Sequence, residues 1–228
     1  NPMRTIILLT GFLIFLVSDL SSQPNSWSPR GVGGGGALFS PSINPADNNE
    51  YFVACDLSAL FHTTDYGQHY NLVHFNELQG GHNSKVCYTA TPGLRYCIHY
   101  ANDQVLPVKS TDGGVTWNPL PGNPDNSEET FSIWADYNQS GRVVIAYYGQ
   151  IYFSNNGGNS FTLIHTALSN GSGCLVGGAF FNGNNIYLGT NDGVLVSTNG
   201  GASWTTATIS GLPANERIFS FAAAKSGN

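Results

Sequence analysis

One eight-residue turn constrains this chain more than any other feature, because it recurs. Ser110-Thr111-Asp112-Gly113-Gly114-Val115-Thr116-Trp117 reads Ser-x-Asp-x-Gly-x-Thr-Trp, and residues 197–204 nearly copy it, with Asn199, Gly201 and Trp204 in the matching places. Residues 154–161 are a looser version carrying Asn156 and Gly158, and residues 63–70 are the most degenerate, with Asp65 and Gly67. The first positions are 63, 110, 154 and 197, so the steps are 47, 44 and 43 residues. A near-constant period of this size means stacked supersecondary units, none of which buries its core alone. The chemistry is that of a tight turn: Asp or Asn accepts hydrogen bonds from the amides of its own turn, and Gly supplies a positive φ. The closing aromatic residue starts the next strand and buries a large apolar area. Four copies of one acid or amide in four equivalent turns are a device of the fold rather than four active sites.

Between the turns lie short runs rich in β-branched and aromatic residues, separated by Gly, Asn, Pro and Asp clusters, which read as strands. The first unit has expected strands at 37–40, 51–55, 59–63 and 70–75, and the second at 85–91, 94–100, 105–110 and 117–120. The third has them at 130–136, 142–148, 150–154 and 161–165, and the fourth at 174–181, 185–190, 193–197 and 204–208. No helical periodicity is sustained beyond the N-terminal apolar run. The expected fold class is therefore all-β, a β-propeller of four-stranded antiparallel blades. The blades fall at about 32–78, 79–124, 125–168 and 169–212, and residues 213–228 open a fifth unit whose first strand is expected near 218–223. On this reading the chain is an N-terminal fragment of a longer protein, with a further propeller or domain to follow.

Residues 6–17 form an apolar run after Met3 and Arg4, broken only by Thr10 and Gly11. This reads as a signal peptide over residues 1–22, including two residues upstream of Met3, with cleavage near 21–23. The run is short for a bilayer, so no stable membrane span is expected after cleavage, and the mature part, 23–228, is expected to be secreted, or else periplasmic or at the cell surface. Charged residues are 10% and the net charge is −6, which argues against a nucleic-acid partner. No Cys-x-x-Cys or Cys/His spacing suggests a metal, and no cofactor is expected. Cys87 and Cys97 are symmetric about Pro92 in an expected hairpin, which puts them opposite each other across two strands, whereas Cys55 and Cys174 read as buried thiols.

The recurrent turn resembles the Asp box of BNR-repeat β-propellers, a group that includes sialidases, xyloglucanases of glycoside hydrolase family 74, sortilin-type receptors and photosystem assembly factors. With blade strands named A to D, every such box is a C–D turn and shares one face with the A–B turns. Propeller ligands gather on the other face, where B–C and D–A connections converge. The polar candidates there are Asp56, Asn102, Asp103, Tyr148, Asn191 and Asp192 from B–C, and Glu77, His82, Glu128 and Glu129 from D–A.

Among these Asp56 stands apart. Trp27, the run Gly33-Gly34-Gly35-Gly36, a strand with a Pro-bounded turn, and then Asp56 ahead of the first box resemble the opening of family 74 xyloglucanases. The resemblance spans residues 27–70 and implies that Asp56 is one of two catalytic carboxylates of an inverting hydrolase, the other coming from a second propeller. The sequence departs from the family where Leu57-Ser58-Ala59 replaces a glycine pair and Cys55 a Thr. Substrate-binding candidates are Trp134, Tyr147, Tyr148 and His82, the first three as stacking platforms for sugar rings. The implied function is a secreted inverting hydrolase of a β-glucan such as xyloglucan, with a polysaccharide or glycan as partner. The alternatives are a non-catalytic propeller for binding or adhesion and, third, a sialidase-like exoglycosidase, for which no Arg-Ile-Pro motif is present.

Overall fold

The structure, a computed structural model, describes residues 26, 28–29, 31–32, 36–101, 104–124, 129–168, 176–211 and 217–225. The expected signal peptide, Trp27, Gly33 to Gly35, Asn102, Asp103, Glu128 and Cys174 lie outside the described residues. Residues 1–31 and 32–228 are separate units, and every described strand belongs to the second.

Among the described residues, sixteen strands form four antiparallel sheets, each in sequence order. The first sheet holds β1 (Leu38–Asn44), β2 (Asp47–Cys55), β3 (Leu60–Thr63) and β4 (Asn71–Leu72). The second holds β5 (Cys87–Tyr88), β6 (Arg95–Ala101), β7 (Gln104–Ser110) and β8 (Asn118–Pro119). The third holds β9 (Ser132–Ala135), β10 (Val143–Ala146), β11 (Gln150–Ser154) and β12 (Thr162–Thr166). The fourth holds β13 (Val176–Asn182), β14 (Asn185–Thr190), β15 (Gly193–Ser197) and β16 (Thr205–Ala207). No helix occurs among the described residues, and the architecture is that of a β-propeller.

Each hydrophobic core lies between two successive blades. The first joins Phe52, Ala54 and Leu60 to Val86, Cys97 and Trp117; the second joins Ile98 and Leu120 to Ile133 and Ile145; the third joins Val144, Ile151 and Phe153 to Val176, Ile186 and Leu188. A blade in the middle is therefore apolar on both faces. In β10, Val143 and Ile145 point into the second core while Val144 and Ala146 point into the third, and all four are fully buried. The outer strands β4 and β8 are exposed and only two residues long, as suits strands at a solvated edge. Pro119 in β8 cannot donate to a further strand. The inner strands converge on an axis: Ser40 of β1, Lys85 just before β5, Ser132 to Trp134 of β9 and Val176 of β13 line one cavity.

Three details differ from the sequence reading. The first hairpin does not stop at Pro41; pairing runs on to a two-residue turn at Pro45-Ala46, with a register shift between Phe39 and Ser42 that absorbs Pro41. Cys87 pairs with Tyr96, not Cys97. A slip of one residue reverses the face, so Cys87 enters the second core and Cys97 the first, and Cys55, Cys87 and Cys97 are buried and in no disulfide. Residues 217–225 contain no strand; they lie against the fourth sheet, with Phe221 N donating to Gly177 O and Ile218 N to Thr190 O.

Candidate functional site on the face opposite the recurrent turns

The four turns share one wiring. The first-position hydroxyl donates to the third-position Asp or Asn and accepts from the fifth-position glycine amide. Ser110 Oγ to Asp112 Oδ1 is 2.8 Å and Gly114 N to Ser110 Oγ is 2.8 Å. The same bonds run through Thr63, Asp65 and Gly67, through Ser154, Asn156 and Gly158, and through Ser197, Asn199 and Gly201. The glycines at this position have φ of 73°, 95°, 80° and 95°, which an L side chain adopts only under strain. Trp117 and Trp204 close their turns by donating Nε1–H to the carbonyls of Gly114 and Gly201. Each turn is also tied to the A–B end of its own sheet, as Gly113 N to Gly93 O, Gly157 N to Gly141 O and Gly200 N to Asn184 O show. The turns and the A–B hairpins thus lie at one end of the sheets, and the B–C loops lie at the other.

At that other end, Asp56 follows β2 directly and is exposed. Its Oδ1 accepts from Ala37 N at 3.0 Å, and its own amide donates to Ala37 O, so the carboxylate is fastened to the chain entering β1. Oδ2 has no partner among the described residues. A Cβ on Gly36, whose φ is 95°, would collide with Asp56 Oδ1, so the residue beside the carboxylate has to be glycine. This is a concrete reason for the last glycine of the 33–36 run. The neighbouring loop, residues 79–84, is drawn in by Gly80 N to Ser58 O and Tyr100 N to Gln79 O. His82 is exposed on that loop, with its ring edge-on to Phe39 at 4.3 Å and its carbonyl accepting from Ser40 Oγ.

The expected stacking platforms separate. Tyr148 is 49% exposed and rests against Phe131, with ring centroids 5.7 Å apart, so it can offer a face to a ligand. Tyr147 is 1% exposed in the second core, where its hydroxyl donates to Asn123. It has no free face, because the chain reverses between β10 and β11 and adjacent side chains point opposite ways. Trp134 is half-buried on the axial cavity, and the Lys85 ammonium sits 3.9 Å from the centre of its ring. Tyr100, 40% exposed and packed on Gly81, is an aromatic group at this end that the sequence reading missed. Its exposure became visible only once β6 was known to end at residue 101.

Two of the other candidate carboxylates, Asp192 and Glu77, have structural partners. Asp192 Oδ2 accepts from His165 Nε2 at 2.8 Å and from Leu168 N at 2.9 Å, and its side chain is 5% exposed. It pins the D–A connection to the β14–β15 turn, and so differs from Asp56 although both sit in B–C loops. Glu77 accepts from Trp117 N. Glu129 is exposed. Arg95 is paired with Glu50, and Arg142 with Asp136 at 3.4 Å, both at the end where the recurrent turns lie. Among the described residues no group of three or more His, Cys, Asp or Glu is arranged to hold a metal. Among the described residues there is no helix long and apolar enough to cross a membrane.

No protein-family description and no curated protein matches the chain. Solved structures do. An ancestral GH74 enzyme superposes with a TM-score of 0.63 at 23% identity, over 82% of this chain and 26% of that one. The GH74 xyloglucanase from Xanthomonas campestris gives 0.56 at 14% identity, over 84% of this chain and 33% of the enzyme. The extracellular domain of a one-component system from B. thetaiotaomicron gives 0.60 at 13% identity, over 89% and 26%. This chain spans a quarter to a third of each of them, and at these identities the likeness is one of fold.

Proposed function

We propose that this chain is part of a secreted carbohydrate-active protein, an inverting hydrolase of β-glucans such as xyloglucan, in which Asp56 is the general base. The observation that carries the proposal is Asp56 itself. It is an exposed carboxylate on the face opposite the recurrent turns, held through Oδ1 by Ala37 N, with no partner for Oδ2 among the described residues. Inversion needs such a base on one side of the sugar ring and a carboxylic acid on the other. Asp56 takes a proton from the water as its oxygen bonds to the anomeric carbon. The leaving oxygen takes a proton from the second acid as the glycosidic bond breaks. That second acid is assigned to a part of the protein beyond the residues described. We read the recurrent turns as Asp boxes with a scaffold role, and Tyr148 and His82 as sugar contacts. The apolar run at 6–17 supports export.

The second reading is a propeller that binds a glycan or another surface without cleaving it. It is favoured by the commitment of Asp192 to His165, which leaves Asp56 without a matching B–C carboxylate among the described residues. A sialidase-like activity is disfavoured, since Arg95 and Arg142 are tied up at the opposite end.

The test is Asp56→Asn in the whole protein that contains this chain, assayed on xyloglucan and related β-glucans. We expect kcat to fall by about 10² to 10⁴, the scale of a lost general base, with sugar binding retained. Asp112→Asn, in a turn at the other end, is the control and should leave the rate unchanged. If no polysaccharide in a broad panel is hydrolysed, the binding reading replaces the enzyme reading. Hydrolysis that survives Asp56→Asn would retain the enzyme class and remove Asp56 from it.

A further inference from the structure

The axial cavity, of about 290 Å³, is lined by Ser40, Asn83, Lys85, Ser132, Trp134 and Phe219 among others. A second cavity of about 370 Å³ adjoins it and shares Lys85 and Trp134. Lys85 is the only charged residue lining either one among the described residues. No carboxylate of the described residues lies within 4.0 Å of its ammonium. In a chain of net charge −6 this is a cation facing a cavity with no acid among its described lining residues. Its counterpart in the structure is the Trp134 ring, and a cation over an indole is held more weakly than one in an ion pair. Two further residues of the same wall, Ser132 and Trp134, have a buried Oγ and a buried Nε1–H with no hydrogen-bond partner. Buried donors left unpaired are uncommon, and these two lie just beneath the wall of the cavity.

We propose that this cavity is a carboxylate-binding site centred on Lys85, and that its occupant is a single acidic sugar residue, a hexuronate. A carboxylate has only acceptor oxygens, which is what the Lys85 ammonium requires. The cavity is at the lower limit of ligand pockets, so it holds one small ring and not an oligomer. Its wall is mixed: Phe131, Val176 and Phe219 give it an apolar side, which suits the C–H face of a sugar. The choice of a sugar rests on the carbohydrate reading above; the anion site does not.

Calorimetric titration of the full chain with sodium glucuronate, glucose and sodium acetate tests this, with tryptophan fluorescence recorded in parallel. Glucuronate should bind about tenfold or more tighter than glucose, the scale of one charge-assisted hydrogen bond. Its binding should weaken with added salt and should shift tryptophan emission as the ammonium leaves the Trp134 ring. Lys85→Gln should reduce glucuronate to the level of glucose, and Lys85→Arg should preserve the preference. If acetate binds as tightly as glucuronate and also depends on Lys85, the site stands as one for free carboxylates. Equal binding of glucuronate and glucose, or a preference that persists in Lys85→Gln, overturns it. Should Lys85→Gln fail to fold, an affinity of the native chain that is insensitive to salt overturns it instead. None of these readings uses hydrolysis, so failure of the hydrolase proposal leaves them unaffected.

Discussion

Asp112 shows how one side chain can close a turn and set its response to acid. The Thr116 hydroxyl donates to its Oδ2 at 2.6 Å, and the amides of Thr116 and Val115 donate to Oδ1 at 2.9 and 3.1 Å. Hydrogen bonds to the charged form, that of the Thr116 side chain foremost, hold the carboxyl down to about 2. The folded value lies below the ordinary 3.8, so this stabilisation is complete above about pH 4 and is lost as the pH falls towards 2. Asp65 is shifted in the same direction, chiefly by the amide and ring of His69. Asp112→Ala should cost about 1 kcal/mol, the modest net worth of such bonds at an exposed site. Asp112→Asn should cost little, because Asn156 and Asn199 already occupy the same wiring, donating Nδ2–H to Ser160 and Ser203. Thermal melts from pH 2 to pH 7 check both. Relative to Asp112→Asn, the native protein should lose stability as the pH falls below about 4, and an unchanged difference across that range would contradict the account.

At the level of elements, what could be read from the chain depended on how each strand is buried. The stretch from Val143 to Ala146 is a continuous apolar run and not an alternating one because both faces of its sheet are covered, and it was still recognisable from β-branched content and flanking turns. The four turns were legible because their chemistry is local: hydroxyl, carboxylate or amide, glycine and aromatic residue lie within eight positions. Cys87 and Cys97 misled for the opposite reason. Symmetry about Pro92 ignores the register of β5 against β6, and a one-residue offset sends the two thiols to different cores. Tyr147 misled likewise, since only the packing of the third sheet on the second shows which of two adjacent tyrosines is enclosed. The pairing of Lys85 with Trp134 crosses from one blade to the next and left no mark at any fixed spacing. The burial pattern makes a simple prediction. Ile145→Ala, in a central strand at 0% exposure, should cost about 2 to 5 kcal/mol, whereas Leu72→Ala, on the outer strand β4 at 58%, should stay within about 0.5. Chemical denaturation of the two variants decides it, and equal costs would mean that the inner and outer strands are not distinguished as described.

For the whole molecule, the decisive fact is that no core belongs to a single blade. Val144, Ala146, Ile151 and Phe153 on one side of the third core meet Val176, Ile186, Leu188 and Leu195 on the other. The strand-to-strand hydrogen bonds stay inside each sheet, and the apolar packing between blades is laced with polar ties such as Tyr96 Oη to Ser140 O at 2.8 Å and Arg142 to Gly183 O. An arrangement of this kind transmits stability from neighbour to neighbour, as in other repeat proteins. It also explains how one end of the assembly can vary, as the B–C loops do from Asp56 to Tyr148 to Asp192, while the turns at the other end keep one wiring. A chain cut after Leu168 removes the fourth sheet and leaves the third with an uncovered apolar face. We expect that product to bind a hydrophobic dye, to self-associate, and to lose the cooperative unfolding of the longer chain, because the exposed patch has no polar substitute. Light scattering, dye fluorescence and calorimetry on the two lengths provide the comparison. A truncated chain that remained monomeric and unfolded cooperatively at the same temperature would show that the first three blades are stable without the fourth, and the neighbour-dependent account of this propeller would fail.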